Sequence, residues 1–208
     1  VEVSGCIAPC YDLLLNIATF GRYSVFIEKA ISLMGIKPED KILDLGAGTG
    51  RNAVLIRRFL GREGRYVGMD ISPRMIIQLK KRIAGSSGAG IIRARLERVL
   101  PFKIKFDKVF ISFVLHGFPQ EIREDIIANA RSVLKAGGRF IILDYNEFLI
   151  DEMPCYFRVP FKLIECSYAF DFVRRNLEMI LKERGFNHFE KHLFFSGYVR
   201  LLQARKTG

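Results

Sequence analysis

The sequence predicts an α/β fold on a mostly parallel sheet. Three observations carry that expectation. Short runs rich in Val, Ile, Leu and Phe alternate with longer stretches of helical periodicity. The run Lys108 to Leu115, rich in Val, Ile and Phe, is flat in periodicity, as in a strand buried on both faces. Clusters of Gly, Ser and Pro punctuate the two kinds of segment. Half of the 208 residues are hydrophobic and 26% are charged, which excludes a disordered or collagen-like chain. Without a linker, repeat or low-complexity tract, residues 1–208 read as one domain.

The elements follow in order. Tyr11 to Gly35 reads as one or two helices broken near Gly21. Lys41 to Leu45 is a short strand that ends in a glycine cluster, and Asn52 to Leu60 is the next helix. Tyr66 to Met69 is a strand ending at Asp70. Ser72 and Pro73 then start a helix, with Ser as N-cap and Pro in the first helical position, running to about Ala84. Ile91 and Ile92 mark a third strand, and Lys108 to Leu115 a fourth. After Pro119, the stripe Ile122, Ile126, Ala130, Val133 and Leu134 has helical spacing and stops at Gly137-Gly138. Arg139 to Leu143 is a fifth strand, and Asp171 to Arg184 is helical. His188 to Phe195 and Tyr198 to Ala204 form a closing hairpin around Ser196-Gly197. Asn146 to Ser167, with two prolines and many aromatics, shows no period.

The charge balance, 33 Lys+Arg against 22 Asp+Glu, leaves +11. Such an excess favours acidic partners, either nucleic acid or an anionic membrane surface, although the basic residues are scattered rather than gathered in one tract. No apolar run reaches the ~18 residues that span a bilayer. The N-terminal stretch lacks the pattern of a secretory signal, so a cytoplasmic setting is expected, with peripheral membrane attachment as a variant. Cys6, Cys10, Cys155 and Cys166 make no disulfide framework, and no histidine stands at zinc-finger spacing. No metal is expected.

The chemistry is concentrated in Asp44-Leu45-Gly46-Ala47-Gly48-Thr49-Gly50, between the first strand and the next helix. The glycines permit a tight turn and let a ligand lie against the main chain, and the helix that follows aims free N–H groups at it. Asp70 ends the second strand, where a carboxylate can accept both hydroxyls of a ribose. The ligand therefore has an adenosine-like half. A nicotinamide dinucleotide asks for G-x-G-x-x-G, but Arg51 or Ala53 stands where the third glycine would fall. The pattern here is G-x-G-x-G preceded by Asp44, which suits S-adenosylmethionine, a ligand with an ammonium and a sulfonium but no pyrophosphate.

The glycine turn, Asp70, the fourth strand and Leu134-Lys135-Ala136-Gly137-Gly138-Arg139 occur in the order seen in class I S-adenosylmethionine-dependent methyltransferases, which the sequence resembles across nearly its whole length. The resemblance implies a seven-stranded Rossmann-like sheet of order 3-2-1-4-5-7-6, its last strand antiparallel. Within that class the chain looks most like the ubiquinone/menaquinone C-methyltransferases (UbiE-like). The stretches that carry this likeness are Tyr11-Asp12-Leu13-Leu14-Leu15-Asn16, Phe20-Gly21-Arg22, Leu100-Pro101-Phe102, Ile111-Ser112-Phe113 and Gly197-Tyr198-Val199. By this resemblance Asp44, Gly46, Ala47, Gly48, Thr49, Gly50, Asp70, Ile71, Leu96, Glu97 and Ser112 fall at cofactor-binding positions. Residues 1–36 would cover the active site, and residues 146–170 would form a substrate-side loop or lid. The chain departs from the family at Leu96, where many relatives have Asp or Asn, at Phe26, where Trp is usual, and in a shorter segment after Asn146.

On the acceptor side, His116 stands just past the fourth strand, at the ligand-facing end of a parallel sheet. It is the candidate general base for a phenolic acceptor, or else a residue that packs or caps the following helix. Asp144 ends the fifth strand and either orients substrate or His116 or bonds loop amides. Tyr11, Tyr156 and Phe157 are candidate substrate contacts, the last two in the aromatic stretch Phe148 to Phe170. His188 and His192 share one face of a late strand and read as structural. The expected function is methyl transfer to a small, apolar, ring-containing acceptor, with quinol-like C-methylation favoured. The alternative is an RNA or protein methyltransferase using the basic surface. A non-catalytic cofactor-fold protein is disfavoured by the intact glycine turn.

Overall fold

A computed structural model describes residues 23–208, apart from the side chains at 156, 157, 160 and 164. Seven strands form one sheet in the order β3-β2-β1-β4-β5-β7-β6. They are β1 (Lys41–Leu45), β2 (Arg65–Asp70), β3 (Ala89–Arg93), β4 (Phe106–Ser112), β5 (Leu134–Tyr145), β6 (Phe186–Phe194) and β7 (Val199–Lys206). The pairs β1·β2, β1·β4, β2·β3 and β4·β5 are parallel. The pairs β5·β7 and β6·β7 are antiparallel. The helices are α1 (Tyr23–Ser32), α2 (Arg51–Arg57), α3 (Pro73–Arg82), α4 (Gln120–Val133), α5 (Cys155–Ile164), α6 (Ser167–Phe172) and α7 (Leu177–Glu183).

The central strands β1, β4 and β5 are buried on both faces, which is why their sequences run apolar without alternation. One face packs Leu43, Val109, Phe140 and Ile142 against α4, α6 and α7. The other packs Ile42, Phe110, Ile141 and Leu143 against α1 and α2. Phe26 of α1 touches the rings of Phe113, Phe194 and Phe195, so that helix spans the carboxyl end of β4 and the final hairpin.

Several boundaries differ from the sequence expectation for local reasons. The fourth strand ends at Ser112, not Leu115, because Phe113 takes a positive φ of 51° and tips the chain into a short turn over Leu115–Gly117. Leu134 does not close α4 but opens β5, where it pairs with Phe106. The aperiodic stretch after Asn146 contains α5 and α6; Pro154 caps the first of these, and Pro160 inside it obscured the helical period. The single helix expected over 171–184 is broken, and Asn176 starts α7 anew by accepting the N–H of Met179 at 2.9 Å. Ser72 occupies the N-cap of α3, but its side chain makes no capping bond; Asp70 Oδ1 accepts the Ser72 N–H instead. A bulge between Asn187 and Glu190 breaks the alternation that would put His188 and His192 on one face. His192 Nε2 lies 2.9 Å from Glu190. Cys6, Cys10, Tyr11 and the first part of the N-terminal helical region lie outside the described residues.

Asp40 and Lys108 form an ion pair at 2.5 Å with side chains 6% and 7% exposed, and Asp40 Oδ2 also accepts the Lys37 N–H. Removing one partner strands a buried charge, which costs several kcal/mol. Lys108→Met is expected to lower unfolding free energy by about 3–5 kcal/mol. Asp40→Asn in the same chain should recover most of it, as read by urea denaturation of the single and double variants.

Candidate active site

The glycine turn leaves β1 at the carboxyl edge of the sheet. Gly46 and Ala47 both donate to the Met69 carbonyl, at 2.8 and 2.9 Å, which ties the turn to the end of β2. The three glycines have positive φ, and they differ in what surrounds them. A Cβ on Gly46 would lie 2.6 Å from Val114, and one on Gly50 would lie 2.5 Å from Leu79. Those two are demanded by packing. A Cβ on Gly48 would meet nothing nearer than the Gly46 carbonyl at 3.9 Å, so that side of the turn is open.

Asp70 braces the turn. Its Oδ2 accepts the Gly48 N–H and its Oδ1 the Ser72 N–H, each at 2.9 Å. Ile71 beside it gives its carbonyl to Arg93 Nε at 3.0 Å. Thr49 is buried, and its hydroxyl accepts from Arg82 at 2.9 Å. Leu96 packs its side chain into the core, while its carbonyl accepts from Asn129 at 2.8 Å. Glu97 pairs with Arg95. Ser112, half-buried, ends β4.

Asp44 is fully buried beneath the turn. The Tyr66 hydroxyl donates to its Oδ2 at 2.7 Å, and its Oδ1 has no partner. Burial, helped by the negative charge of Asp70 and opposed by the Tyr66 hydrogen bond, pushes its pKa from 3.8 to about 7.

Beyond β4, the Leu115–Gly117 turn carries His116 onto Asp144 at the end of β5. Nδ1 lies 2.7 Å from Asp144 Oδ1, and the His116 main-chain N–H donates to Oδ2 at 3.2 Å. The Tyr145 N–H also donates to Oδ1, at 2.8 Å, so Asp144 both orients the imidazole and ties loop amides. A carboxylate accepting there favours the Nδ1–H tautomer of the neutral ring and leaves Nε2 as the other nitrogen. Nε2 faces Glu165 Oε2 at 3.5 Å, and Glu165 Oε1 accepts the Tyr145 hydroxyl at 2.6 Å. Burial by itself disfavours the imidazolium, but Asp144 and Glu165 outweigh it and hold the His116 pKa above its ordinary value.

The rings of His116, Phe113 and Phe161 all pack on Tyr145, at centroid distances of 4.9, 6.0 and 5.2 Å. Phe148 and Phe170 pack on Phe161 in turn, each at 5.6 Å. Part of the aromatic stretch is thus ring-on-ring core. Tyr156 and Phe157 belong to α5, but their side chains, like all of Tyr11, lie outside the described residues. The site residues that sequence reasoning missed are Tyr145 and Glu165. Glu165 lies in the bend between two helices that showed no sequence period, and no spacing rule links it to His116. Among the described residues no group of three His, Cys, Asp or Glu side chains is placed to hold a metal ion.

The buried Asp44 makes stability fall as pH rises. Its folded pKa exceeds the unfolded value, so the protonated fold is favoured at low pH and that contribution is lost as pH rises from about 4 to about 7. Asp44→Asn is therefore expected to raise the melting temperature at pH 8 relative to the parent chain, with a smaller gain at pH 5. Thermal melts at the two pH values check this.

Comparison with known proteins agrees with this geometry. A family profile described as a methyltransferase domain matches residues 42–138, from β1 into β5. The chain is 26% identical over 217 aligned positions to the ubiquinone/menaquinone biosynthesis C-methyltransferase UbiE of Francisella tularensis subsp. novicida, covering 94% of this chain and 86% of that one. To the UbiE of Wigglesworthia glossinidia brevipalpis it is 30% identical, over 68% of this chain and 57% of that one. In fold it is similar to a SAM-dependent methyltransferase from Aquifex aeolicus, with a TM-score of 0.64 at 16% identity over 86% and 88% of the two chains. The chain carries a methyltransferase domain on a Rossmann-like sheet, and it is similar to the ubiquinone/menaquinone C-methyltransferases.

Proposed function

We propose that the chain binds S-adenosylmethionine along the Gly46–Gly50 turn and C-methylates a small, apolar, hydroxylated ring of the quinol type, with His116 as the base. The fit to the cofactor rests on the turn itself. The open side of Gly48 is a main-chain cradle that a Cβ would fill. The carboxylate of Asp70 gives the turn an acidic side, suited to ribose hydroxyls and unsuited to a pyrophosphate. The buried, unpartnered Asp44 Oδ1 beneath the turn is the proposed acceptor for the ligand's ammonium, whose charge would favour the ionised carboxylate. Gly46, Ala47, Thr49, Gly50, Ile71, Leu96, Glu97 and Ser112 complete the proposed cofactor side. When bound, S-adenosylmethionine supplies an electrophilic methyl group on a sulfonium.

The protein's part is alignment and proton removal. A phenolic ring becomes nucleophilic at carbon when its O–H is lost, and phenols ionise near ~10, so a positioned base is needed at neutral pH. His116 takes that proton at Nε2, and Asp144 holds the Nδ1–H and stabilises the imidazolium that forms. The observation that carries this reading is the 2.7 Å His116–Asp144 pair at the carboxyl end of β4 and β5, next to Tyr145 and Phe161. The relatives' names point to a quinone-pathway ring. Residues 146–170 and 1–36 are the proposed walls of the acceptor site, and Tyr11, Tyr156 and Phe157 are its proposed contacts. The net charge of +11 supports loading from an anionic membrane surface, with RNA as the less favoured alternative acceptor.

Two outcomes are expected. Asp70→Ala should weaken S-adenosylhomocysteine binding by about 1.5–3 kcal/mol in calorimetry, since a charge-assisted bond to ribose is lost. Equal affinity in the two chains refutes the role of Asp70. In a labelled-methyl assay offering demethylated quinol precursors and total RNA in parallel, transfer to the quinol is expected, and His116→Gln should lower turnover ~10²–10⁴-fold without changing cofactor affinity. Transfer to RNA alone, falling steeply with salt, would replace the quinol reading.

A further inference from the structure

The nitrogen that the proposed chemistry needs is covered. His116 Nε2 is 3.5 Å from Glu165 Oε2, in the bend between α5 and α6. The other oxygen of that carboxylate holds the Tyr145 hydroxyl at 2.6 Å. Tyr145 in turn packs its ring on His116 and on Phe161 of α5. One carboxylate therefore fastens the α5–α6 segment to the end of β5 and caps the imidazole at once. The His116 and Glu165 side chains are 14% and 16% exposed, so this is a closed contact rather than a surface pair.

We propose that Glu165 is a positioning residue, a latch that closes the α5–α6 segment over His116, and that its release is what opens Nε2 to an acceptor hydroxyl. The inference rests on the reading of His116 as the base. Charge supports it. The groups facing the imidazole are Asp144 from β5 at Nδ1, Glu165 at Nε2, and Arg123 from α4, whose Nη2 donates to the His116 carbonyl at 3.4 Å. Arg123 is itself paired with Asp171 of α6 at 2.7 Å. Flanked by two carboxylates, the imidazole stays protonated to higher pH and is not a base. When Glu165 withdraws, one of those two charges leaves. The Nε2 proton then passes to water, and a neutral ring remains with Nδ1–H on Asp144 and a free lone pair at Nε2. The acceptor's O–H bond breaks as a new Nε2–H bond forms. Entry of the acceptor and activation of the base become one event.

The test needs neither cofactor nor acceptor, so its outcome is separate from that of the methyl-transfer assay. The three histidines of the full chain are titrated by NMR, with His116 assigned through His116→Gln. Glu165→Gln is expected to lower the His116 midpoint by about one unit and to leave His188 and His192 unmoved. Glu165→Asp, which draws the charge back by one methylene, should give a smaller fall. At a pH above all the midpoints, where only access counts, diethyl pyrocarbonate should modify His116 several-fold faster in Glu165→Gln than in the parent chain. Tyr145→Phe, which frees the other carboxylate oxygen, should raise that rate in the same direction. A His116 midpoint unchanged in both Glu165 variants, or equal modification rates in all the chains, overturns the latch.

Discussion

The whole site hangs on one close approach of backbone to side chain at the carboxyl end of β1. The chain must leave that strand, turn back and enter α2 within van der Waals reach of Leu79 from α3 and Val114 from the loop after β4. No side chain fits at Gly46 or Gly50, and both residues sit at positive φ, where only glycine is unstrained. The Met69 carbonyl takes two amides of the turn, and the Asp70 carboxylate takes a third, so the end of β2 is bound to the turn by main chain and side chain together. Because the turn packs on α3 and on the β4 loop simultaneously, its shape sets where both the Asp70 carboxylate and the His116 turn come to rest. The remaining glycine, Gly48, is the one that packing does not require.

A second constraint is electrostatic. The carboxyl ends of β4 and β5 and the amino end of β7 bring a dense set of charges under cover. Arg123 and Arg200 are both buried and both lie over the Phe172 ring, at 5.0 and 5.6 Å. Each has its own carboxylate, Asp171 for Arg123 and Glu147 for Arg200. Arg200 stands across from Asp144 in the antiparallel ladder. Pairing keeps the arginines charged where isolated charges would be costly. It also fixes α6 beside the His116 turn, since Arg123 bonds main-chain oxygens of Leu115, His116 and Tyr168 together, while Glu147, the partner of Arg200, accepts the Leu177 N–H at the start of α7. The imidazole thus rests on a scaffold held from three elements.

The same elements show how far a local reading reaches. Strand β4 was legible because burial on both faces writes a continuous apolar run, β1 and β2 as short apolar runs ending at the glycine turn and at Asp70, and the turn itself because its torsions admit so few residues. The end of β4 was not. Val114 and Leu115 are as apolar as the strand before them, and only the positive φ at Phe113, held by its amide on the Leu143 carbonyl at 2.8 Å, takes them out of the sheet. Helix α5 was hidden because Pro160 lies inside it, and α6 because its six residues are too short to show a period.

By itself the sequence determined the α/β class, the place of the glycine turn and the acidic residue after β2, because each rests on backbone torsion or on burial pattern within a few residues. It also put His116 and Asp144 at the ends of neighbouring strands, which the parallel register makes adjacent. What only the tertiary structure decided is what those side chains meet. Asp44 loses water on every side and is left with one hydrogen bond, so it resists ionising at neutral pH. Glu165 reaches His116 through a bend between two helices, a contact set by how α5 and α6 fold back over the sheet. Desolvation and long-range charge pairing depend on neighbours distant in the chain, and no local pattern encodes them.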